Sequence, residues 1–382
     1  MTPSHGRIET LQALRAIGAI IIVFVHAHGG VAEASKQGIA DAFLLSHENI
    51  LMLGGFGVDF FFVISGFIMT TVVWNNFRHD PQPLRFAEKR FVRVFPIYWF
   101  HLSIWVAFYL LIARHVPGMP VVTTNDIALS YLLVPTAPLS VAGAYASISP
   151  LYYNVLLPVS WTLSFEIYFY IIVMLCLPFS RKFFIPIVFA IFTAGTLLLS
   201  GMASTSSLFW LMSDPMLYEF LFGIITGFIV HKGIRIRNGA AWFMLAAGLF
   251  IAYSVPFHPF PFVRCLSWGI PATLVVLAVV TLENNRAIRV PRWLSSLGDG
   301  SYSLYLSHLL VILFLEQIFT GIGAWSIVGG NGFVLIATLA SIVIGQLSYL
   351  FIEKKTLGLL SRKSSRSASS SVSVSEKAAD FR

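Results

Sequence analysis

Arg15 and His26 lie eleven residues apart in a run, Leu11 to His26, that carries no other ionisable side chain. At about 3.6 residues per turn that spacing is close to three turns, so the two share one helix face, roughly 16 Å apart along the axis. An arginine holds anions, and an imidazole that titrates near neutrality can take a proton from an attacking hydroxyl. Both are costly in a hydrocarbon-spanning helix, where such groups mark polar interiors or reaction paths. His28 stands about 200° around the same helix from His26 and has a secondary place.

Further chemistry-bearing residues recur in four later runs. Asp59 sits in the glycine-rich stretch Gly54–Ile68, read as the outer end of a spanning helix, where it is either a solvated end group or the group that orients an imidazole. Arg90 and Arg93, three apart in a basic run, are neighbours on a helical face and suit phosphate held from two sides. The alternative for the pair is ordinary basic flanking of a membrane helix. Glu166 is a carboxylate inside the apolar run Ser160–Tyr170 and must be partnered or neutral there. Ser301, Tyr305 and His308 fall at i, i+4 and i+7, one polar stripe that suits a cavity wall. Asp214 and Glu219 are weaker candidates, read as end groups.

The elements that must position these residues follow from composition. The chain has 382 residues, 57% hydrophobic and 11% charged, with a mean hydropathy of +0.80. Soluble chains are nearer a quarter charged, so the solvent for much of this one is lipid. Ten segments suffice to cross a bilayer at about 20 residues each, near 11–31, 51–74, 94–113, 159–178, 183–200, 215–231, 239–256, 266–282, 300–320 and 331–352. The expected fold is all-α, a polytopic membrane helix bundle over residues 1–360. The Ser-rich tail 361–382 is expected to be disordered.

With the N-terminus in the cytoplasm, only Lys36, Arg114 and Arg264 of the 25 lysines and arginines fall on the outer side. That asymmetry puts both ends in the cytoplasm. The net charge of +8 therefore reports orientation rather than nucleic-acid binding. The first apolar run reads as a retained helix, not a cleaved signal. Cys176 and Cys265 lie singly in apolar runs, so neither a disulfide framework nor a metal site is indicated. Two long outer connections, 32–50 and 114–158, remain; the second, with six prolines and four tyrosines, reads as a lid, an acceptor platform or an inert packed loop.

Taken together the chain resembles the acyltransferase 3 family of integral-membrane acyltransferases, and most of all its bacterial exopolysaccharide-production branch. The resemblance rests on five ordered motifs: Leu14-Arg15-Ala16 with His26, Gly57 through Phe67, Arg90 through Trp99, Trp161 through Glu166, and Ser301 through His308. It implies a ten-helix domain in the bacterial cytoplasmic membrane. Such a domain moves an acyl group, often acetyl, from cytoplasmic acyl-coenzyme A to a sugar hydroxyl of an extracytoplasmic glycan or its lipid-linked precursor. The family's functional residues carry over onto Arg15, His26, Arg90 and Arg93, with Asp59, Glu166 and His308 as supporting matches. The esterase-like domain that some relatives carry after the tenth helix is not expected.

The combined expectation is that Arg90, Arg93 and Arg15 hold the coenzyme's phosphates at the cytoplasmic mouth. His26 then serves as base, oriented by Asp59 or Glu166. Direct transfer is the simpler course; an acyl-histidine relay stays open. The rival from another class is a transporter or flippase of a glycan or lipid precursor, against which stand the inside arginine pair and the lack of an internal repeat. A membrane assembly factor without activity is the third reading.

Overall fold

The computed structural model describes residues 7–36, 38–39, 47–76, 82–111, 122–135, 156–179, 181–203, 205–255 and 261–360. Among the described residues there is no strand. Among them, nine helical segments are long and apolar enough to cross a membrane, and the apolar helix Asn238–Ser254 makes a tenth at 17 residues. The tail 361–382 and most of the two long connections, with Pro117, Pro120, Pro138, Tyr145, Pro150, Tyr152 and Tyr153, lie outside the described residues.

The helices are α1 (Glu9–Lys36), α2 (His47–Asn76), α3 (Pro83–Leu111), α4 (Thr124–Tyr131), α5 (Trp161–Cys176), α6 (Phe184–Leu199), α7 (Ser207–Ser213) and α8 (Leu217–His231). They continue as α9 (Asn238–Ser254), α10 (Pro261–Arg264), α11 (Ile270–Asn284), α12 (Arg292–Asp299), α13 (Ser301–Gly321) and α14 (Trp325–Ser348). Two π turns, Cys265–Gly269 and Tyr349–Glu353, extend α10 and α14.

Helix α1 is central, packed against α2, α12, α13 and α14. Its first turn is tied down by α11, since Glu283 accepts from the Glu9 N–H (2.9 Å) and the Thr10 N–H (2.8 Å). Those N–H groups have no partner within the helix, so a carboxylate there satisfies them and favours the positive dipole end. The tie sets the height of Arg15 one turn later. Arg7 adds a bond to Asp299 of α12 at 2.9 Å.

Helices α2 and α8 meet through glycine. A Cβ on Gly66 would fall 2.0 Å from the Phe220 carbonyl, and one on Gly223 would fall 2.0 Å from that of Val63. Small residues drive helix association where lipid removes the hydrophobic gain. Thr70 spends the proximity on a bond to the Ile224 carbonyl at 3.1 Å. Stacked against this crossing are Phe62, Phe169 and Phe220, with ring centroids 4.6 and 4.4 Å apart. Large apolar side chains such as Phe243 and Ile327 face outward at 73% and 85% exposure, as lipid permits and water does not.

Three expectations need correction. Helix α3 begins at Pro83, eleven residues before the expected span at 94, so the helical face that carries Arg90 and Arg93 is continuous with the membrane helix. Helix α2 begins at His47, so Asp59 is well inside it and fully buried instead of closing its outer end. Arg264, read as a residue of an outer connection, is buried at the end of α10 against Asp59. Part of the second connection is anchored: Tyr98 donates to the Ser130 carbonyl at 2.6 Å and Trp99 to that of Tyr131 at 2.8 Å.

Candidate active site

Helices α1, α2, α3, α5 and α13 converge on a cavity of about 360 Å³. Arg15 enters it from α1, Arg90 and Arg93 from α3, Glu166 from α5, and Ser301 and Tyr305 from α13. Phe61 and Phe62 of α2 form apolar wall. The three arginines, Ser301 and Tyr305 all come from early turns of their helices, so the cavity lies toward the side of the bundle where α1, α3 and α13 start. The i, i+3 spacing of Arg90 and Arg93 does aim both into one space, as the sequence pattern requires.

Within the cavity the charges are only partly matched. Glu166 accepts from Ser65 at 3.0 Å and, one helical turn on, from Tyr170 in a short hydrogen bond. Arg90 lies over the faces of Phe86 and Tyr170, at 5.8 and 5.7 Å, and its Nε is buried without a hydrogen-bond partner. Arg15 touches Gln12 at 3.3 Å, and Arg93 faces Glu353 at 3.8 Å. Three guanidiniums lining one cavity, one with an orphaned N–H, suit a multiply charged anion such as phosphate or pyrophosphate in charge and geometry.

Neither His26 nor His308 lines the cavity; the pair lies further along α1 and α13, next to Tyr305. Their rings pack at 5.0 Å between centroids, with His308 Nε2 3.0 Å from His26 Nδ1. His308 Nδ1 lies 3.3 Å from the Leu304 carbonyl, which can only accept, so in the neutral ring that nitrogen carries the hydrogen. His308 Nε2 is then the acceptor and His26 Nδ1 the donor. The remaining lone pair, on His26 Nε2, is a base. Tyr305 links the two regions, lining the cavity while its ring stands 5.9 Å from that of His308. Its hydroxyl donates to the Val159 carbonyl at 2.8 Å.

Neither Asp59 nor Glu166 contacts the imidazole of His26. Gly57 faces α1, where a Cβ would meet the Gly18 carbonyl at 3.2 Å. Asp59, two residues on, is about 200° around the helix and so points away from α1. It pairs instead with Arg264 at 3.3 Å, alongside Glu219, which is fully buried. Asp214 accepts from the Met216 N–H at 2.9 Å where the chain breaks between α7 and α8. Glu166 is held at the arginine end. Sequence reasoning passed over Glu353, although a lone carboxylate closing an apolar run carries the same signal that singled out Glu166.

Comparison with known proteins gives the family. The chain is 31% identical over 307 residues to the exopolysaccharide production protein ExoZ of Rhizobium meliloti, covering 80% of this chain and 90% of that protein. It is 25% identical over 394 residues to the acyltransferase MdmB of Streptomyces mycarofaciens, covering 95% of each. No solved structure matches it. The acyltransferase domain model of the acyltransferase 3 family matches residues 8–350, which takes in every helix from α1 to α14. This multi-pass membrane protein, with its arginine-lined cavity and paired histidines, belongs to the acyltransferase 3 family.

Proposed function

We propose that this membrane acyltransferase takes its acyl group, acetyl in the simplest case, from acyl-coenzyme A and delivers it to a hydroxyl of a polysaccharide or its lipid-linked precursor. The observation that carries the reading is the cavity joining Arg15, Arg90 and Arg93, with the histidine pair one turn of α13 beyond Tyr305. A coenzyme thioester has a polyphosphate head and a long neutral arm, and a cationic cavity with a base deeper in the bundle suits that shape. The basic residues of the connections favour a cytoplasmic mouth in the bacterial cytoplasmic membrane. The role of ExoZ in exopolysaccharide production supports a glycan acceptor.

In the mechanism the three arginines hold the phosphates, and Phe61 and Phe62 line the way for the arm. His26 Nε2 accepts the proton of the acceptor hydroxyl as its oxygen attacks the thioester carbonyl carbon. The C–S bond then breaks, and the proton on His26 passes to the departing sulfur. The products are the O-acyl ester and free coenzyme A. His308 keeps the His26 ring in the tautomer that leaves Nε2 open, and it disperses the charge of the transient imidazolium. Direct transfer needs no further nucleophile.

The test is transfer of radiolabelled acetyl from acetyl-coenzyme A in membranes carrying His26→Ala or Arg90→Ala at wild-type protein levels. Loss of transfer is expected for His26→Ala, and reduced transfer at sub-saturating donor for Arg90→Ala. Undiminished transfer by both variants would defeat the assignment.

A further inference from the structure

We infer that Glu353 is a positioning residue for the donor site: it aims Arg93 at the donor's phosphates and offsets the arginine cluster's charge while the site is empty. The inference rests on reading the arginine cavity as the donor site. Glu353 is fully buried at the end of the π turn Tyr349–Glu353. A π turn closes over one more residue than an α turn, which rotates the residues after it relative to the helix before it. Such turns concentrate at functional sites.

The two carboxylate oxygens of Glu353 are used differently. Oε2 accepts from Ser303 Oγ at 2.7 Å, which anchors it to α13. Oε1 has no hydrogen bond and faces Arg93 Nη1 at 3.8 Å. Beside this contact Tyr302 donates to the Val94 carbonyl at 2.9 Å, fixing α13 against α3 at the residue after Arg93. The carboxylate is thus buried and tied to α13, while the guanidinium opposite it is partly exposed. Arg93 keeps 36% of its side chain exposed and lines the cavity. At 3.8 Å the pair is longer than a charge-assisted hydrogen bond. A longer contact from a fixed anion restrains the arginine while its other donors stay turned to the cavity.

The electrostatic arrangement supports the same role. Arg15 lies close enough to feel both Arg93 and Glu353. Glu166 already accepts from Ser65 and Tyr170. Glu166 and Glu353 both offset the mutual repulsion of Arg15 and Arg93, and Glu353 is the one that faces Arg93.

The experiment uses the purified full chain in detergent, with coenzyme A as the binding probe and acetyl-coenzyme A as substrate. Glu353→Gln should raise the Kd for coenzyme A and the KM for acetyl-coenzyme A about tenfold, with kcat changed little, the size of one charge-assisted contact. Glu353→Asp should recover part of that loss. Arg93→Ala with Glu353→Gln should be no worse than Arg93→Ala alone, because one residue acts through the other. Additive losses, or an unchanged Kd in Glu353→Gln while Arg93→Ala weakens binding, overturn the inference and leave the donor site standing. If the wild type binds no coenzyme A, the donor-site reading falls and this inference with it. If neither Glu353 variant folds, the residue is structural and the inference is again overturned.

Discussion

The imidazoles of His26 and His308 meet at 3.0 Å, nitrogen to nitrogen, although 282 residues separate them in the chain. The bond from His308 Nδ1 to its own helix carbonyl sets the direction of the pair, and with it which nitrogen of His26 is left to act. His26→Ala should cost about 10²–10⁴-fold in transfer, the usual contribution of a general base. His308→Ala should cost less, since it removes the orienting partner and not the base. The double variant should be no worse than His26→Ala, because residues that act as a unit are not additive. Initial rates at matched protein levels measure this, and an additive double variant would separate the two histidines.

Arg90 is a cavity cation whose Nε lacks a partner, so its removal should act on donor binding more than on the fold. Arg90→Ala is expected to raise the KM for acetyl-coenzyme A by about tenfold or more while leaving the melting temperature near that of the wild type. Added salt should raise the wild-type KM and affect the variant less, since screening weakens the same attraction. A salt-independent KM would argue against phosphate recognition at this mouth.

The glycine crossing of α2 and α8 has no room for a methyl group. Gly66→Ala or Gly223→Ala would push a Cβ to 2.0 Å from a backbone carbonyl oxygen that cannot swing aside. A loss of about 1–3 kcal/mol is expected from such overpacking. Thermal unfolding in detergent reads it as a lowered midpoint. An unchanged midpoint would mean the helices separate there at little cost.

Arg264 sits between buried carboxylates, at 3.3 Å from Asp59 with Glu219 adjacent. Arg264→Ala should be strongly destabilising, by about 3–5 kcal/mol, because buried acids would be left facing one another. Combining it with Asp59→Asn should restore part of the folded yield. Size-exclusion profiles of the three proteins test this, and no recovery in the double variant would show that the arginine's packing matters more than its charge.

By itself the sequence determined the helices and the faces of each. Apolar runs of bilayer length have few other ways to satisfy their backbone in lipid, and the ten runs placed along the sequence fall on nine described helical segments of spanning length and the shorter Asn238–Ser254. Spacing within one helix was equally legible. Arg90 with Arg93, and Ser301 with Tyr305, share one cavity because 3.6 residues make a turn. Family motifs then linked Arg15, Arg90 and Arg93 before any contact was known.

Only the tertiary structure decided which faces meet. His26 found His308, not Asp59 or Glu166, because the Gly57–Gly18 contact turns Asp59 away from α1 and toward Arg264. Glu353 came to Arg93 through a π turn that no periodicity announces. The physical reason is one of range. Helix geometry is set by bonds between residues four apart, whereas the rotation of one helix against another depends on close approaches between segments far apart in the chain.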